Sequence, residues 1–226
     1  MGRYSIKASE YSSHSTILKL LGDGHGQSLL DVGAADGSMG LSFRNLGWDV
    51  TGIEPDYAEY RRASELGLKI HHMTLDSAIV ELTERYDAIV LGDVLEHVND
   101  PWSQLSDLAS LLCHADTKVI ISIPNIAHIV PRLKLLFGRF EYEDRGILDR
   151  THLRFFTRQT ALDLFRGSGL ICTQLHATPT PLELVYPPLL DSKIGRHILT
   201  VNARASKAFP RLIGYQFIAV CQPALA

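Results

Sequence analysis

Residues 29–40 read Leu-Leu-Asp-Val-Gly-Ala-Ala-Asp-Gly-Ser-Met-Gly. An apolar run, with Asp31 near its end, passes straight into glycine-bearing backbone and then into a helical pattern. Gly33 and Gly37 let the main chain turn sharply and approach a ligand where a β-carbon would clash. The helix start that follows offers free N–H groups, which suit a carboxylate as well as a phosphate. A dinucleotide fingerprint places G-x-G-x-x-G directly after the strand. Here the order is Asp31-x-Gly33-x-x-x-Gly37, with Ala34 beside the first glycine. That spacing disfavours an NAD-dependent oxidoreductase.

Outward from this stretch, short apolar runs alternate with helical patterns. The runs are 28–33, 48–53, 68–73, 86–91 and 118–123, the last preceded by a helical stretch over 102–112. Short strands buried on both faces and alternating with helices imply parallel βαβ units. Right-handed crossovers then give a doubly wound sheet that binds ligands at the carboxyl ends of its strands. Beyond residue 158 the pattern predicts a helix over 159–168 and a sixth strand over 170–176. Prolines 179, 181, 187 and 188 break up a loop before a helix over 192–208, and a last strand covers 215–221. Lys193, Arg196, Arg204 and Lys207 mark the 192–208 helix as a surface element.

Composition narrows the class. The chain has 226 residues, 46% hydrophobic and 21% charged, which fits one α/β domain. A net charge of −3 supplies no bulk basic field to recruit nucleic acid. Cys113, Cys172 and Cys221 have no metal-type spacing and read as reduced core cysteines of a cytoplasmic protein. No apolar run is long enough to span a membrane, and no signal-peptide order opens the chain.

Three further segments lie at the carboxyl ends of strands, where this fold binds its ligands. The second strand ends at Glu54-Pro55, where a carboxylate can accept both ribose hydroxyls; alone, the same residue reads as a solvated loop acid. The third is followed by Leu75-Asp76, and Asp76 would serve equally as a helix cap. The fourth leads into Asp93-Val94-Leu95-Glu96-His97, a polar cluster where this fold places its active site.

Motif I, as Asp31-x-Gly33-x-x-x-Gly37, resembles that of class I methyltransferases. The resemblance implies a Rossmann-like, seven-stranded, mostly parallel sheet with helices on both faces, and S-adenosylmethionine as cofactor. It further implies that Glu54 binds the ribose, that Asp76 contacts adenine while Leu75 covers the ring, and that Asp93 and Val94 line the methionine half. From Tyr86 onward, YDAIVLGDVLEHVNDPWSQL, ISIPNIAH and GILDRTHLRFFT resemble, in order, the bacterial small-molecule methyltransferases of the Methyltransferase 23 type. Such chains often decorate sugars or build cell-surface glycans and secondary metabolites.

For a hydroxyl or ammonium acceptor, a base must take the proton. His97 and His152 compete for that role, with Asp149 placed in sequence to orient the His152 imidazole. His128 is a weaker candidate, and His71 and His72 read as strand residues. A catechol-type metal mechanism needs carboxylates after the fourth and fifth strands. The fifth ends in Pro124-Asn125, so no metal is expected.

Between Pro131 and Arg158, seven basic residues interleave with aromatics, but Glu141, Glu143, Asp144 and Asp149 dilute the charge. A lid over a small anionic acceptor is favoured over an RNA surface. The expected organisation is one domain over 1–226. An N-terminal cap covers 1–25 and includes Tyr4, Tyr11 and His14; the cofactor core is 26–125 and the lid 126–160. The remainder, 161–226, completes the sheet around a proline-rich insertion. The expected reaction moves a methyl group to oxygen or nitrogen of a small sugar-like or phenolic acceptor. The alternatives are RNA methylation and a non-catalytic cofactor-binding partner protein; a homodimer stays open.

Overall fold

The computed structural model describes residues 10–224. In chain order, α1 (Ser13–Leu21) precedes β1 (Ser28–Val32), α2 (Ser38–Asn45), β2 (Asp49–Ile53), α3 (Tyr57–Glu65), β3 (Lys69–His71), α4 (Leu75–Glu81) and β4 (Tyr86–Gly92). Then come α5 (Pro101–Leu111), β5 (Cys113–Pro124), α6 (Ile129–Leu136), α7 (Arg158–Gly167) and β6 (Leu170–Ala177). Three helices, α8 (Leu182–Val185), α9 (Lys193–Ala208) and α10 (Pro210–Ile213), lead to β7 (Gln216–Pro223).

The seven strands form one sheet in the order β3-β2-β1-β4-β5-β7-β6. β3, β2, β1, β4 and β5 pair in parallel, whereas β7 runs antiparallel to both β5 and β6. The sheet is therefore the expected mostly parallel one, with a single reversed strand slotted between its neighbours.

Strand pleating explains the helices on both faces, because successive side chains point to opposite sides. Leu30, Val32, Ile89, Leu91, Val119 and Ile121 face one side and pack with Ile79 of α4, Leu105 of α5 and Leu164 of α7. Leu29, Ala88, Val90 and Ile120 face the other, with Ile17 of α1 and Phe43 of α2. Both layers exclude water, which accounts for strands that read as unbroken apolar runs.

Two boundaries differ from expectation. The 68–73 run yields only three strand residues, Lys69–His71, at the sheet edge. β5 begins five residues early: Cys113 pairs with Tyr86 across a register shift, and regular pairing resumes at Lys118 with Ala88. The three cysteines are unbridged; Cys113 and Cys221 are buried and Cys172 is half-buried. No helix among the described residues is long and apolar enough to cross a membrane.

Candidate functional site

The carboxyl ends of β1, β2 and β4 open onto a cavity of about 640 Å³, a volume suited to a nucleoside-sized ligand. Asp31, Gly33, Ala34, Glu54, Pro55, Leu75, Asp76, Asp93 and Val94 all border it. Gly37 does not, and its role differs from the one expected. Both motif glycines have positive φ, 73° at Gly33 and 81° at Gly37, so the turn needs them. A β-carbon at Gly37, however, would lie 2.9 Å from the Ala63 Cα on α3, and one at Gly33 would strike Val94 at 2.9 Å. Packing within the protein, as well as the turn, demands glycine at these positions.

Glu54 is buried, and each of its oxygens already accepts a backbone N–H: Oε2 from Ala35 and Oε1 from Asp56, both at 2.8 Å. These bonds fix the carboxylate and leave one lone pair on each oxygen, the number a ribose diol requires. Burial raises its pKa, and the two backbone bonds oppose that shift. Asp31, at the end of β1, is 5% exposed and its Oδ2 has no partner. Burial, with Glu54's charge adding to it, pushes the Asp31 carboxyl from 3.8 up to about 7. A buried, unpartnered acceptor beside a cavity suits a cationic ligand group such as an ammonium. α2 starts from Gly37 with no side-chain cap.

Asp76 is exposed on the first turn of α4, and the cap is Thr74, whose hydroxyl accepts from the Ser77 N–H. Leu75 is buried beneath the cavity wall. His14 and Ile17 of α1 border the cavity, while the Tyr11 hydroxyl lies 3.5 Å from that of Thr200. Tyr4, expected in the same cap, lies outside the described residues.

At the end of β4, Asp93 is held at φ 56°. A non-glycine residue there is strained unless its surroundings enforce it. The Ser122 hydroxyl of β5 donates to its carboxylate, and the Gln216 amide of β7 donates to both oxygens at 2.8 Å. Two adjacent strands thus clamp this carboxylate, and neither clamping residue was singled out by the sequence. Their spacing carries no pattern, with Gln216 123 residues away.

His97 follows in a 3₁₀ turn and borders the cavity, with its Nδ1 3.1 Å from the Thr151 carbonyl. His152 stacks edge-on against it, ring centroids 4.8 Å apart. The expected bond between the Asp149 carboxylate and the His152 imidazole does not form; the two residues share only a backbone bond, His152 N–H to the Asp149 carbonyl at 3.0 Å. His152 Nδ1 faces the Ile147 carbonyl at 3.1 Å, and Asp149 instead accepts from the Thr151 N–H and hydroxyl at 2.8 and 2.7 Å. The two residues belong to one tight turn, in which the carboxylate caps its own backbone and acts on His152 only through its charge. Burial, and then the neighbouring His97, lower the His152 pKa.

Beside this pair lies Glu96, 1% exposed, with neither carboxylate oxygen partnered. Burial raises its pKa well above the usual range. The sequence showed it only as His97's neighbour, since nothing in the chain order reveals that its side chain turns into the protein. His128 takes no part: it caps α6 and bonds Thr180 at 3.0 Å.

A family model described as Methyltransferase domain (Methyltransf_23) matches residues 7–175. The chain belongs to this methyltransferase family. It is 32% identical over 182 residues to a ubiquinone biosynthesis O-methyltransferase of Aeromonas salmonicida, covering 76% of this chain and 73% of the relative. The fold resembles a SAM-dependent methyltransferase from Archaeoglobus fulgidus, with a TM-score of 0.66 and 15% identity over 95% of this chain and 94% of that one. It also resembles magnesium protoporphyrin IX methyltransferase from Synechocystis PCC 6803 with bound SAH, with a TM-score of 0.59, 16% identity, and coverage of 95% and 83%. The protein is a methyltransferase that uses S-adenosylmethionine, with the fold expected from its sequence.

Proposed function

We propose that this methyltransferase modifies an oxygen of a small phenolic or sugar-like acceptor bound at the His97 end of the cavity. One observation carries the reading: a single cavity joins Glu54 and Asp31 at one side to Asp93 and His97 at the other. In this assignment Glu54 holds the ribose and Asp76 the adenine amino group, with Leu75 and Pro55 against the ring. Gly33 and Ala34 line the turn beneath the nucleoside, and Asp31 and Asp93 face the methionine half.

S-adenosylmethionine supplies a sulfonium, already an excellent leaving group, so the protein's task is alignment and proton removal. A carbonyl oxygen only accepts, so the proton of His97 resides on Nδ1 and Nε2 keeps its lone pair. His152 has the same arrangement. His97, which borders the cavity, is therefore set up to assist loss of the hydroxyl proton, with His152 packed against it. The Aeromonas salmonicida relative is an O-methyltransferase, which supports oxygen over nitrogen.

The segment 126–160 serves as the acceptor lid, and three of its seven basic residues are paired with acids of the same segment. Lys134 pairs with Glu143, Arg139 with Glu141, and Arg150 with Asp144. With a net charge of −3 over the whole chain, that pairing favours a small acceptor over an RNA backbone, which recruits broad positive charge.

The test is labelled-methyl transfer across phenols, nucleotide sugars, glycan precursors and tRNA, with calorimetric binding of S-adenosylhomocysteine alongside. Glu54→Ala should weaken that binding at least about tenfold, the effect of two lost charge-assisted hydrogen bonds. Labelling of tRNA alone would overturn the small-acceptor assignment, and unchanged affinity in Glu54→Ala the ribose assignment.

A further inference from the structure

We propose that Cys172 and Cys221 are a peroxide-sensitive dithiol, whose oxidation to a disulfide ties the edge strand β6 to the reversed strand β7. Their separation in sequence hides the pair, and the sheet brings it together. The two residues are direct partners across the antiparallel β6–β7 ladder. Side chains at opposed positions point to the same face, and both cysteines meet the same apolar layer.

The geometry suits a bond between them. Opposed residues on antiparallel strands lie about 4.5–5.5 Å apart at Cα, inside the span of about 4.4–6.8 Å that disulfides occupy. Their β-carbons, also about 4.5–5.5 Å apart in such pairs, must close by roughly an ångström. A register shift between Cys172 and Gln174 loosens the ladder at this point. β6 lies at the sheet edge and pairs with β7 alone among the described strands, so the movement disturbs no second ladder.

The two sulfurs have different surroundings. Cys221 is wholly buried and Cys172 half-buried, so a reagent from solvent meets Cys172 first. As a neutral thiol, Cys172 has the Gln174 carbonyl as its acceptor at 3.2 Å. Contact with the Cys221 thiol lowers the Cys172 pKa against the effect of burial, and the Arg158 charge adds to the lowering. The same contact, and then burial, raise the pKa of Cys221. An accessible thiol with a lowered pKa, beside a second one that can resolve it, is the arrangement of redox-sensing cysteines. Cys113 lacks it, and burial pushes its thiol up to about 12. The reading of all three as inert core cysteines therefore fits Cys113 alone.

The oxidant is hydrogen peroxide. The Cys172 thiolate attacks one peroxide oxygen, an S–O bond forms, the O–O bond breaks, and the departing oxygen takes up a proton as water. The Cys221 sulfur then attacks that of Cys172. The S–S bond forms, the S–O bond breaks, and the released hydroxide takes the Cys221 proton as a second water. Two thiols give up two electrons, and one peroxide accepts them.

The reduced full chain is treated with hydrogen peroxide, denatured and alkylated, and its peptides are mapped by mass spectrometry. A linked Cys172–Cys221 peptide should appear, with Cys113 the one alkylated cysteine, and dithiothreitol should restore all three. The bridge closes a long loop that holds α8, α9 and α10, so the oxidised chain should melt higher by about 5 °C or more. Cys221→Ser should stop at a sulfenic acid on Cys172, trapped by dimedone, and Cys172→Ser should leave Cys221 unoxidised. Circular dichroism shows that each variant is folded, and the wild-type map decides the question should a variant fail to fold. Three alkylated cysteines after peroxide, a bridge through Cys113 or to a second chain, or an oxidised form that melts no higher than the reduced one would each overturn the proposal.

Discussion

At the scale of single residues, the cavity is lined by carboxylates that the folded chain holds at a cost. Asp31 shows it most plainly. Its carboxyl titrates near 3.8 when unfolded and at about 7 in the native protein. Between those values the native state keeps a proton that the unfolded chain has lost, so stability falls as pH rises through that window and is intact below it. Above pH 7 the cost approaches about 4 kcal/mol. Asp31→Asn should therefore raise the melting temperature of the ligand-free protein at pH 8, with little change at pH 4. The same variant should bind S-adenosylhomocysteine more weakly, because the negative charge proposed to face its ammonium is gone. Thermal melts at the two pH values, with calorimetry, check both halves. An equal gain at pH 4 and pH 8 would contradict the titration argument.

At the scale of elements, the strand-to-helix turn between β1 and α2 serves packing as well as binding. Gly37→Ala meets a positive φ and the Ala63 backbone together. The expected destabilisation is about 2–4 kcal/mol, lowering the melting temperature by roughly 5–15 °C. Its effect on nucleoside affinity should be smaller than that of Glu54→Ala, since Gly37 does not border the cavity. The turn was legible in the sequence because glycine is the cheap answer to a positive φ. The reason for that glycine was not, because the clash comes from another helix. The same holds for the acceptor end. His97 and His152 stand out by residue type, but Glu96 and the carbonyls that orient both rings become visible only when the 147–154 segment folds against the end of β4. Asp149 illustrates the converse: three residues from His152, it looked like a partner, yet its local turn claims it first.

At the scale of the whole molecule, alternating apolar runs made the seven strands and both helical layers readable, since a doubly buried sheet leaves a continuous signal in each strand. Strand order was not written locally. β7 reverses direction and inserts between β5 and β6, supplying Phe217, Ile218, Ala219 and Cys221 to the buried sheet. Its first residue, Gln216, grips Asp93. Removing residues 215–226 should therefore do more than trim an edge. The expected result is loss of both cooperative thermal unfolding and nucleoside binding, measured by circular dichroism and calorimetry. Retention of either would show that β7 is dispensable to the core.

The position of β7 also sets an order of events during synthesis. The glycine turn and Glu54 leave the ribosome early, but β6 emerges before the one strand it pairs with, and Asp93 waits for Gln216. A nascent chain thus carries the residues of the β1–β2 end of its cavity long before the strand on which cooperative folding waits. Competence to react arrives with the last strand.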